Sequence, residues 1–505
     1  MHLRAFFPCG FLIVVSLAST LPARDFEVVA YNVENLFDAD GVSLFEDYQP
    51  PGYTPGHLVR KLAGISRVLK QFGDGRGPDV VLFVELEADQ TPDSSVSDVP
   101  ALLDRWKTRT VAGMLSPRAA LDPEIAGIPS HAWLAKQLSD DGFAPCEIAV
   151  GQWRPDPDGR TVAHVNAVFS RFPIRASRTF DTAQARGILE VTLEVDGEPL
   201  HVFVNHWKSG ASDPGTEPAR IENAKVLKRR LDEILRADPQ ADIVIGGDLN
   251  SHYNQKQRHP EMGRTAINDV LGSQGNELAV AKKNGPALYN LWFELPNEKR
   301  GSDVYRDEWG TLMHLLVTRG LYDFRGVQYV DNSFNVGAFP GLNAQRSSGR
   351  PIRWQFADGG VGYSDHFPVA ARFRTVDDDA PQRWLALEHP SRTVVGPAEG
   401  VPVRISTGDI VELSKWPANR RLLEASHIGR FFDVSGEVTS TRPSFKVRID
   451  GPDVELMVWI HDRAARNAFF KSHRVGDPVR FVGELGQYRG EWQFVIPESL
   501  VPRSN

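Results

Sequence analysis

The feature that most constrains this chain is a recurring phrase, an apolar β-branched run that stops on a cluster of polar residues. Phe26 to Tyr31 runs into Asn32-Val33-Glu34-Asn35, and Pro78 to Val84 runs into Glu85. Leu200 to Val204 runs into Asn205-His206, and Ala241 to Gly246 into Gly247-Asp248-Leu249-Asn250. A fifth stretch reverses the order: the glycine-rich turn Gly359 to Tyr363 delivers Ser364-Asp365-His366 just before the apolar Pro368 to Ala371. Continuous apolar runs of this length read as buried strands. Helical patterns lie between them. After the N-cap candidate Thr54 and Pro55, Leu58, Leu62, Ile65, Leu69 and Phe72 recur at helical spacing, and Glu217 to Arg236 is a second amphipathic helix. Strands with helical crossovers, plus strand runs joined by short turns, imply a layered α/β protein built around sheets. Polar residues gathered at one set of strand ends are what an active site on a sheet rim needs.

Composition narrows the functional classes. The 505 residues are 41% hydrophobic and 24% charged, ordinary for a globular chain, with a net charge of −8. No global field draws in a polyanion, so nucleic-acid contact would rest on local basic clusters or metal ions. Met1-His2-Leu3-Arg4, the apolar Ala5 to Leu21, and the small-residue sites Ser16-Leu17-Ala18 and Leu21-Pro22-Ala23 predict a signal peptide over residues 1–23. Pro8 and Gly10 argue against a membrane anchor, so the mature chain is expected to be exported, periplasmic or extracellular, with no membrane span. Cleavage removes Arg4 and no acid, taking the charge from −8 to −9. It also removes Cys9, leaving Cys146 alone and no intrachain disulfide.

Residues 24–375 are expected to form the main unit, with 89–145 as an insertion that contains a helix near His131 to Leu138. Residues 376–427, opening on Asp377-Asp378-Asp379-Ala380-Pro381, read as a linker with local structure. Residues 428–505 show strands near Phe431–Val438, Phe445–Ile449 and Val454–Ile460, a helix near Asp462–Ser472, and strands near Val479–Glu484 and Trp492–Ile496. That is the order of an OB-fold barrel.

Taken alone, each carboxylate in the polar clusters reads as a cap or solvated turn and each histidine as a satisfied loop residue. Taken in order, the five clusters, with Ser170-Arg171-Phe172-Pro173-Ile174 among them, resemble the motifs of the endonuclease/exonuclease/phosphatase superfamily. Pancreatic DNase, exonuclease III, neutral sphingomyelinase and inositol polyphosphate phosphatases belong to it. The resemblance spans roughly residues 25–375. It implies a four-layer α/β sandwich of the DNase type, followed here by the small all-β OB-like barrel, and metal-assisted attack of water on a phosphodiester. Hydrolysis of that bond needs a cation on the phosphate, an aligned water and donors for the developing charge. The resemblance implies Mg²⁺ or Mn²⁺ on Glu85, with Glu34 and Asp365 completing the shell and Asn32 orienting Glu85 or a ligand water. Asp248 would align or deprotonate the water, with Asn250 beside it on the phosphate. His206 and His366 would contact the phosphate, and Asn205, Lys208 and Ser209 are further candidate substrate contacts.

One position departs from the family pattern. Leu312-Met313-His314-Leu315-Leu316-Val317-Thr318 carries Met313 where an aspartate usually orients the histidine of the last motif. A thioether cannot fix an imidazole tautomer, and His314 should point to the opposite strand face. Asp307 or Glu308 is therefore expected to replace the lost partner, or activity to be attenuated. For the substrate, the barrel's Phe445, Lys446, Arg448, Trp459, Tyr488, Arg489 and Trp492 suggest a single-strand binding module, hence nucleic acid, DNA first and RNA second. Phe445 and Trp459 read equally well as barrel core, and Lys225, Lys228, Arg229 and Arg230 as a solvated helix face. The alternative is a sphingomyelinase-like or other small phosphodiester hydrolase, for which 89–145 could supply an apolar membrane loop. An inactive binding protein rests on Met313 alone.

Overall fold

A computed structural model describes residues 24–91, 96, 98–116, 121–152, 162–282, 285, 287–376, 378–406, 408, 410–417, 419–488 and 490–501. The expected signal peptide and Arg489 lie outside these residues. The main unit contains, in order, β1 (Asp25–Leu36), α1 (Pro55–Leu69), β2 (Val80–Glu87), α2 (Val99–Arg105), α3 (Val111–Met114), α4 (Pro123–Ala126) and α5 (Ser130–Asp140). β3 (Glu147–Val150), β4 (His164–Ser170), β5 (Ile174–Phe180), β6 (Ile188–Val195), β7 (Glu198–His206), α6 (Glu217–Ala237) and β8 (Ile243–Asp248) follow. Then come β9 (Leu288–Asn290), the hairpin of β10 (Asp303–Tyr305) and β11 (Glu308–Gly310), and β12 (Met313–Thr318).

Two sheets result. One runs Val327–Tyr329, Val369–Thr375, β1, β2, β4, β3, and the other β5, β6, β7, β8, β12, β9. Alternate residues of each strand point to opposite faces, which separates three cores. Val28, Ala30, Val80, Leu82, Val202, Val204, Val244 and Leu315 fill the space between the sheets. Val29, Tyr31, Val81 and Phe83 face the other way onto Leu58, Leu62 and Ile65 of α1. Phe203, Ile243, Ile245 and Leu316 pack on Ala224, Leu227 and Leu231 of α6. Helix, sheet, sheet, helix is the expected four-layer sandwich. Each fully buried Val, Leu or Ile contributes about 1.5–3 kcal/mol, so these faces hold the register that positions the polar strand ends.

The 89–145 stretch is more than a peripheral insertion. Leu102, Val111, Met114, Leu115, Ile125, Ile128 and Trp133 are buried in the same core as α1 and complete the outer helical layer. The barrel closes from five strands, Phe431–Ser440, Lys446–Ile449, Val454–Trp459, Pro478–Tyr488 and Glu491–Val495. The first pairs with the second and fourth, and the third pairs parallel with the fifth. Helix Arg463–Lys471 sits between the third and fourth and contributes Phe469 to the core. Phe445 belongs to that core rather than to a binding face, stacked on Phe470 at 4.5 Å between ring centroids. Leu413, Trp416 and Leu422, from the stretch read as linker, enter it too. Ala380–Trp384 pairs with Asp323–Phe324 and Val401–Pro402 with β11, so this stretch runs along the main unit. The barrel docks where Arg350 bridges Asp307 of the hairpin and Glu484 of the barrel. Among the described residues, no helix is long and apolar enough to cross a membrane.

Candidate active site

The polar clusters meet at one end of the inter-sheet core. In the parallel pair β7–β8, His206 lies opposite Asp248, each one step beyond the inter-sheet residues Val204 and Gly246. Asn32 continues the inter-sheet face of Val28 and Ala30 on β1, opposite Val84 of β2. Strict alternation would send Glu85 to the helix side. The β1–β2 register breaks after Asn32, and Glu34, Asn35 and Glu85 adopt left-handed backbone with φ of 49°, 61° and 66°. That irregularity turns Glu85 toward Asn32. Asn250 is also left-handed, at 45°. Such non-glycine conformations cost about 1 kcal/mol or more each and persist where the surroundings over-determine them.

Asn32 is the hub. Its Nδ2 donates to Glu85 Oε1 at 3.1 Å and to Asp248 Oδ2 at 3.2 Å, while its Oδ1 accepts from Glu34 N–H at 2.9 Å. A donor on one side and acceptors on the other fix the amide's orientation. The Asn35 N–H donates to Glu85 Oε2, so both carboxylate oxygens are anchored. His206 Nε2 stands 3.6 Å from Glu85 and 3.9 Å from Asp248. His366 Nε2 stands 3.7 Å from the same Asp248 oxygen and 3.9 Å from Asp365. The Asn250 N–H donates to Asp248 Oδ1 at 2.8 Å, and its Nδ2 donates to the Trp207 carbonyl. Ser364 Oγ donates to the Asn32 carbonyl and accepts from the His366 N–H, joining the last motif to the first.

His366 has a carboxylate neighbour that the sequence reading missed. Asp303, 5% exposed, lies across an antiparallel bridge from His366. Ser302 Oγ and the Leu312 N–H donate to its Oδ1 at 2.9 and 3.1 Å. Gly310 is what admits it, since a Cβ there would stand 2.0 Å from Asp303 Oδ2. The expectation that Asp307 or Glu308 would serve is not met: Asp307 pairs with Arg350 and Glu308 with Arg258. Met313 is fully buried in the inter-sheet core, and His314 points the other way, to Asn290 and the Ser251 carbonyl.

Electrostatics separate the two histidines. Burial alone would push His366 down, but the carboxylates of Asp365, Asp248, Asp303 and Glu85 outweigh it and hold the imidazole up at about 9. Burial, then the nearby Arg186, His164 and His366, push His206 well below the usual imidazole range, so it is neutral. Burial lifts Asp248 to about 6, against the pull of His366 and the Asn250 N–H. Arg186, bonded to His164 at 3.0 Å, is a cation beside Glu85 and Asp248 that no motif announced.

Several expected residues take other places. Asn205 is fully buried on the α6 side of β7, where its Oδ1 accepts from Trp207 Nε1 at 3.1 Å, so it holds the loop and does not face the site. Both oxygens of Glu34 are engaged, Oε1 by Arg353 at 2.9 Å and Oε2 by the Trp354 N–H at 2.7 Å. Burial and the nearby Asp365 raise Glu34 to about 7. Lys208 and Ser209 lie on the loop beyond β7, half-buried and exposed respectively, with the Lys208 backbone tied to Asn223 and Arg220. For a metal, Glu85 and Asp365 offer hard oxygen donors; besides burial, the charges of Glu85 and Asp303 raise Asp248 and that of Asp365 raises Glu34. This donor set fits a divalent cation of the Mg²⁺ type.

Known proteins offer distant likenesses to this chain. A search of curated proteins finds no match. Among solved structures, TDP2 from C. elegans is 12% identical, covering 69% of this chain and 75% of that one, with a TM-score of 0.36. An endonuclease/exonuclease/phosphatase family protein from Leptotrichia buccalis is 12% identical over 68% and 98%, at 0.40, and the human Nocturnin catalytic domain is 13% identical over 70% and 95%, at 0.36. The model of the Endonuclease/Exonuclease/phosphatase family matches residues 155–375, which include His206, Asp248, Asn250, Asp365 and His366. Over residues 155–375 the main unit thus matches the endonuclease/exonuclease/phosphatase family, and the residues of that stretch that gather at the candidate site are the ones this likeness covers.

Proposed function

We propose that this protein is an exported, metal-dependent nuclease that hydrolyses phosphodiester bonds of DNA, and of RNA as a second substrate. The observation that carries the reading is the convergence of Glu85, His206 and His366 on Asp248, each imidazole within 4 Å of that carboxylate. Mg²⁺ or Mn²⁺ held by Glu85 and Asp365 would supply positive charge to the nonbridging and leaving oxygens. Asp248, ionised above about 6, accepts the proton of the attacking water, and the Asn250 N–H fixes the carboxylate's orientation. His366, protonated below about 9, donates from Nε2 to the phosphate as charge develops. Neutral His206 offers a second donor from the facing strand. Asn32 keeps Glu85 and Asp248 in register.

Nucleic acid is favoured over lipid by what surrounds the site. The 89–145 stretch buries its apolar residues in the helical layer, so among the described residues it presents no apolar membrane loop. Phe45, 38% exposed, sits 5.4 Å from the His164 ring beside Arg186, an aromatic face next to a cation, which suits a base and its phosphate. In the barrel, Tyr488 is 58% exposed and Trp459 is half-buried under Arg466, so these and Arg448 remain the candidate strand contacts.

The test is hydrolysis of plasmid DNA, linear DNA, RNA and sphingomyelin by the mature chain, with Mg²⁺ or Mn²⁺ and with chelator. Nucleic-acid cleavage that needs metal and disappears in His366→Ala and Asp248→Ala is the expected result. Lipid turnover without nucleic-acid cleavage would move the protein to the phospholipase side of the family.

A further inference from the structure

A second group of carboxylates lies elsewhere in the inter-sheet space, beside β9, which pairs with the Leu316–Thr318 end of β12 and so with the end opposite Met313. Glu277, Glu294 and Asp331 each offer an oxygen, and these oxygens lie within 4.8 Å of one another. Acidic residues often gather without consequence, so the cluster alone decides nothing. Its wiring does. Tyr322 OH donates to Glu277 Oε1 at 2.9 Å, Tyr329 OH to Glu294 Oε2 at 2.7 Å, and the Glu388 N–H to Asp331 Oδ2 at 3.0 Å. The other oxygens, Glu277 Oε2, Glu294 Oε1 and Asp331 Oδ1, are shielded from solvent and have no hydrogen-bond partner among the described residues. None of the three acids forms an ion pair among those residues either.

A fourth group points to the same place independently. Tyr289 is fully buried, and its hydroxyl also lacks a partner among the described residues. Besides burial, the charges of Glu294, Glu277 and Asp331 oppose its ionisation, so the hydroxyl lies near them. Arg300, the cation acting on that hydroxyl, is itself engaged with Tyr253 OH at 2.6 Å and the Leu295 carbonyl at 2.8 Å. Three carboxylates are thus each anchored on one oxygen, with the second oxygen left in a buried space shared with an unpartnered phenol. Three carboxylates this deep stay ionised together only beside a counter-charge.

We propose that Glu277, Glu294 and Asp331 bind a structural divalent cation, calcium in preference to magnesium, at a site separate from the catalytic centre. Oxygen-only ligands select hard cations. Mg²⁺ gives up its waters reluctantly and is usually held by only one or two carboxylates, whereas Ca²⁺ accepts a cage of several protein oxygens, so three carboxylates with oxygens shielded from solvent suit the larger ion. The site also clasps the chain leaving the main unit. Glu388 donates to Asp331, the Glu277 N–H donates to the Ser391 carbonyl, and Leu385 and Leu387 pack on the inter-sheet core. Calcium would therefore fix residues 385–391 against the sandwich before they continue to the barrel.

The experiment uses the mature full-length chain carrying Glu85→Gln, which removes the principal catalytic metal ligand, and reads no activity. Thermal unfolding is followed in chelator, CaCl₂ and MgCl₂, with tyrosine-sensitised Tb³⁺ emission as a direct probe of the ion. Millimolar calcium is expected to raise the midpoint by about 3 °C or more, magnesium to raise it less, and Tb³⁺ emission to be displaced by calcium. Asp331→Asn and, separately, Glu294→Gln should abolish both signals. Should either variant fail to fold, the other and the Glu85→Gln chain still give both readouts. No calcium shift and no Tb³⁺ emission in the Glu85→Gln chain, or signals that persist in folded Asp331→Asn, would overturn the assignment.

Discussion

Asp248 and His366 share one oxygen-to-nitrogen contact yet must hold opposite charges, and that fixes a pH signature. Asp248 is ionised only above about 6 and His366 is protonated only below about 9, so both working forms coexist between those values. The kcat/KM profile should be a bell with limbs near them. His366→Ala should cost about 10²–10⁴-fold in rate, read from single-turnover rates of the folded protein. Asp303→Asn removes one of the charges that hold His366 up, so the alkaline limb should move to lower pH. An unmoved limb would mean Asp303 only supports the hairpin. Met313→Asp puts a carboxylate across from Asp248 on the same face of β8 and β12. The expected result is an acid limb displaced above 6 together with a lower midpoint, read from the pH profile and a melting curve. The motif residues were legible because each sits beside the apolar run that places it. Asp303 was not, because its relation to His366 exists only through a bridge between residues far apart in the chain. Arg186, on the connection before β6, and His164, at the start of β4, were not, because no pattern marks a side chain that reaches the site from outside the polar strand ends.

At the scale of elements, the site depends on how closely β7 and β8 run. Gly247, at φ 112°, would place a Cβ 2.2 Å from the Asn205 carbonyl oxygen, so no side chain fits without parting the pair. Gly247→Ala is expected to lower stability by several kcal/mol, at the upper end of what single substitutions do. It should also lower activity further than the fraction folded explains, because it shifts Asp248 from His206. Unfolding in urea alongside single-turnover rates separates the two. The strands were readable from their continuous apolar runs and the long helices from their periodicity. Helices α2 to α4 were read only as an insertion, because short helices show too little of the 3.6-residue repeat to announce the core they join. The two-residue strands along 376–427 carry no pattern at all, and the edges they pair with decide their structure.

For the whole molecule, the barrel and the sandwich meet through Arg350, whose guanidinium serves Asp307 and Glu484 with only 12% of its side chain exposed. Removing that cation would leave two largely shielded carboxylates facing each other, a loss of about 3–5 kcal/mol by analogy with other buried pairs. Arg350→Met should therefore loosen the barrel, seen as a separate low-temperature transition in calorimetry or faster proteolysis at the junction. The order of five barrel strands and one helix could be read from the chain, but the docking face could not, since charges scattered over residues 307–484 become neighbours only when both units are built. That face bears on how the barrel's own role can be learned. Asp307 stands in the turn of the β10–β11 hairpin that also holds Asp303 beside His366. Truncating the chain before the barrel would strip the support from a catalytic neighbour along with any strand-binding surface, and a slow truncated enzyme would say nothing about which was lost. Substitutions on the barrel's outer face, at Tyr488 and Arg448, leave the hairpin untouched and can be read as binding alone.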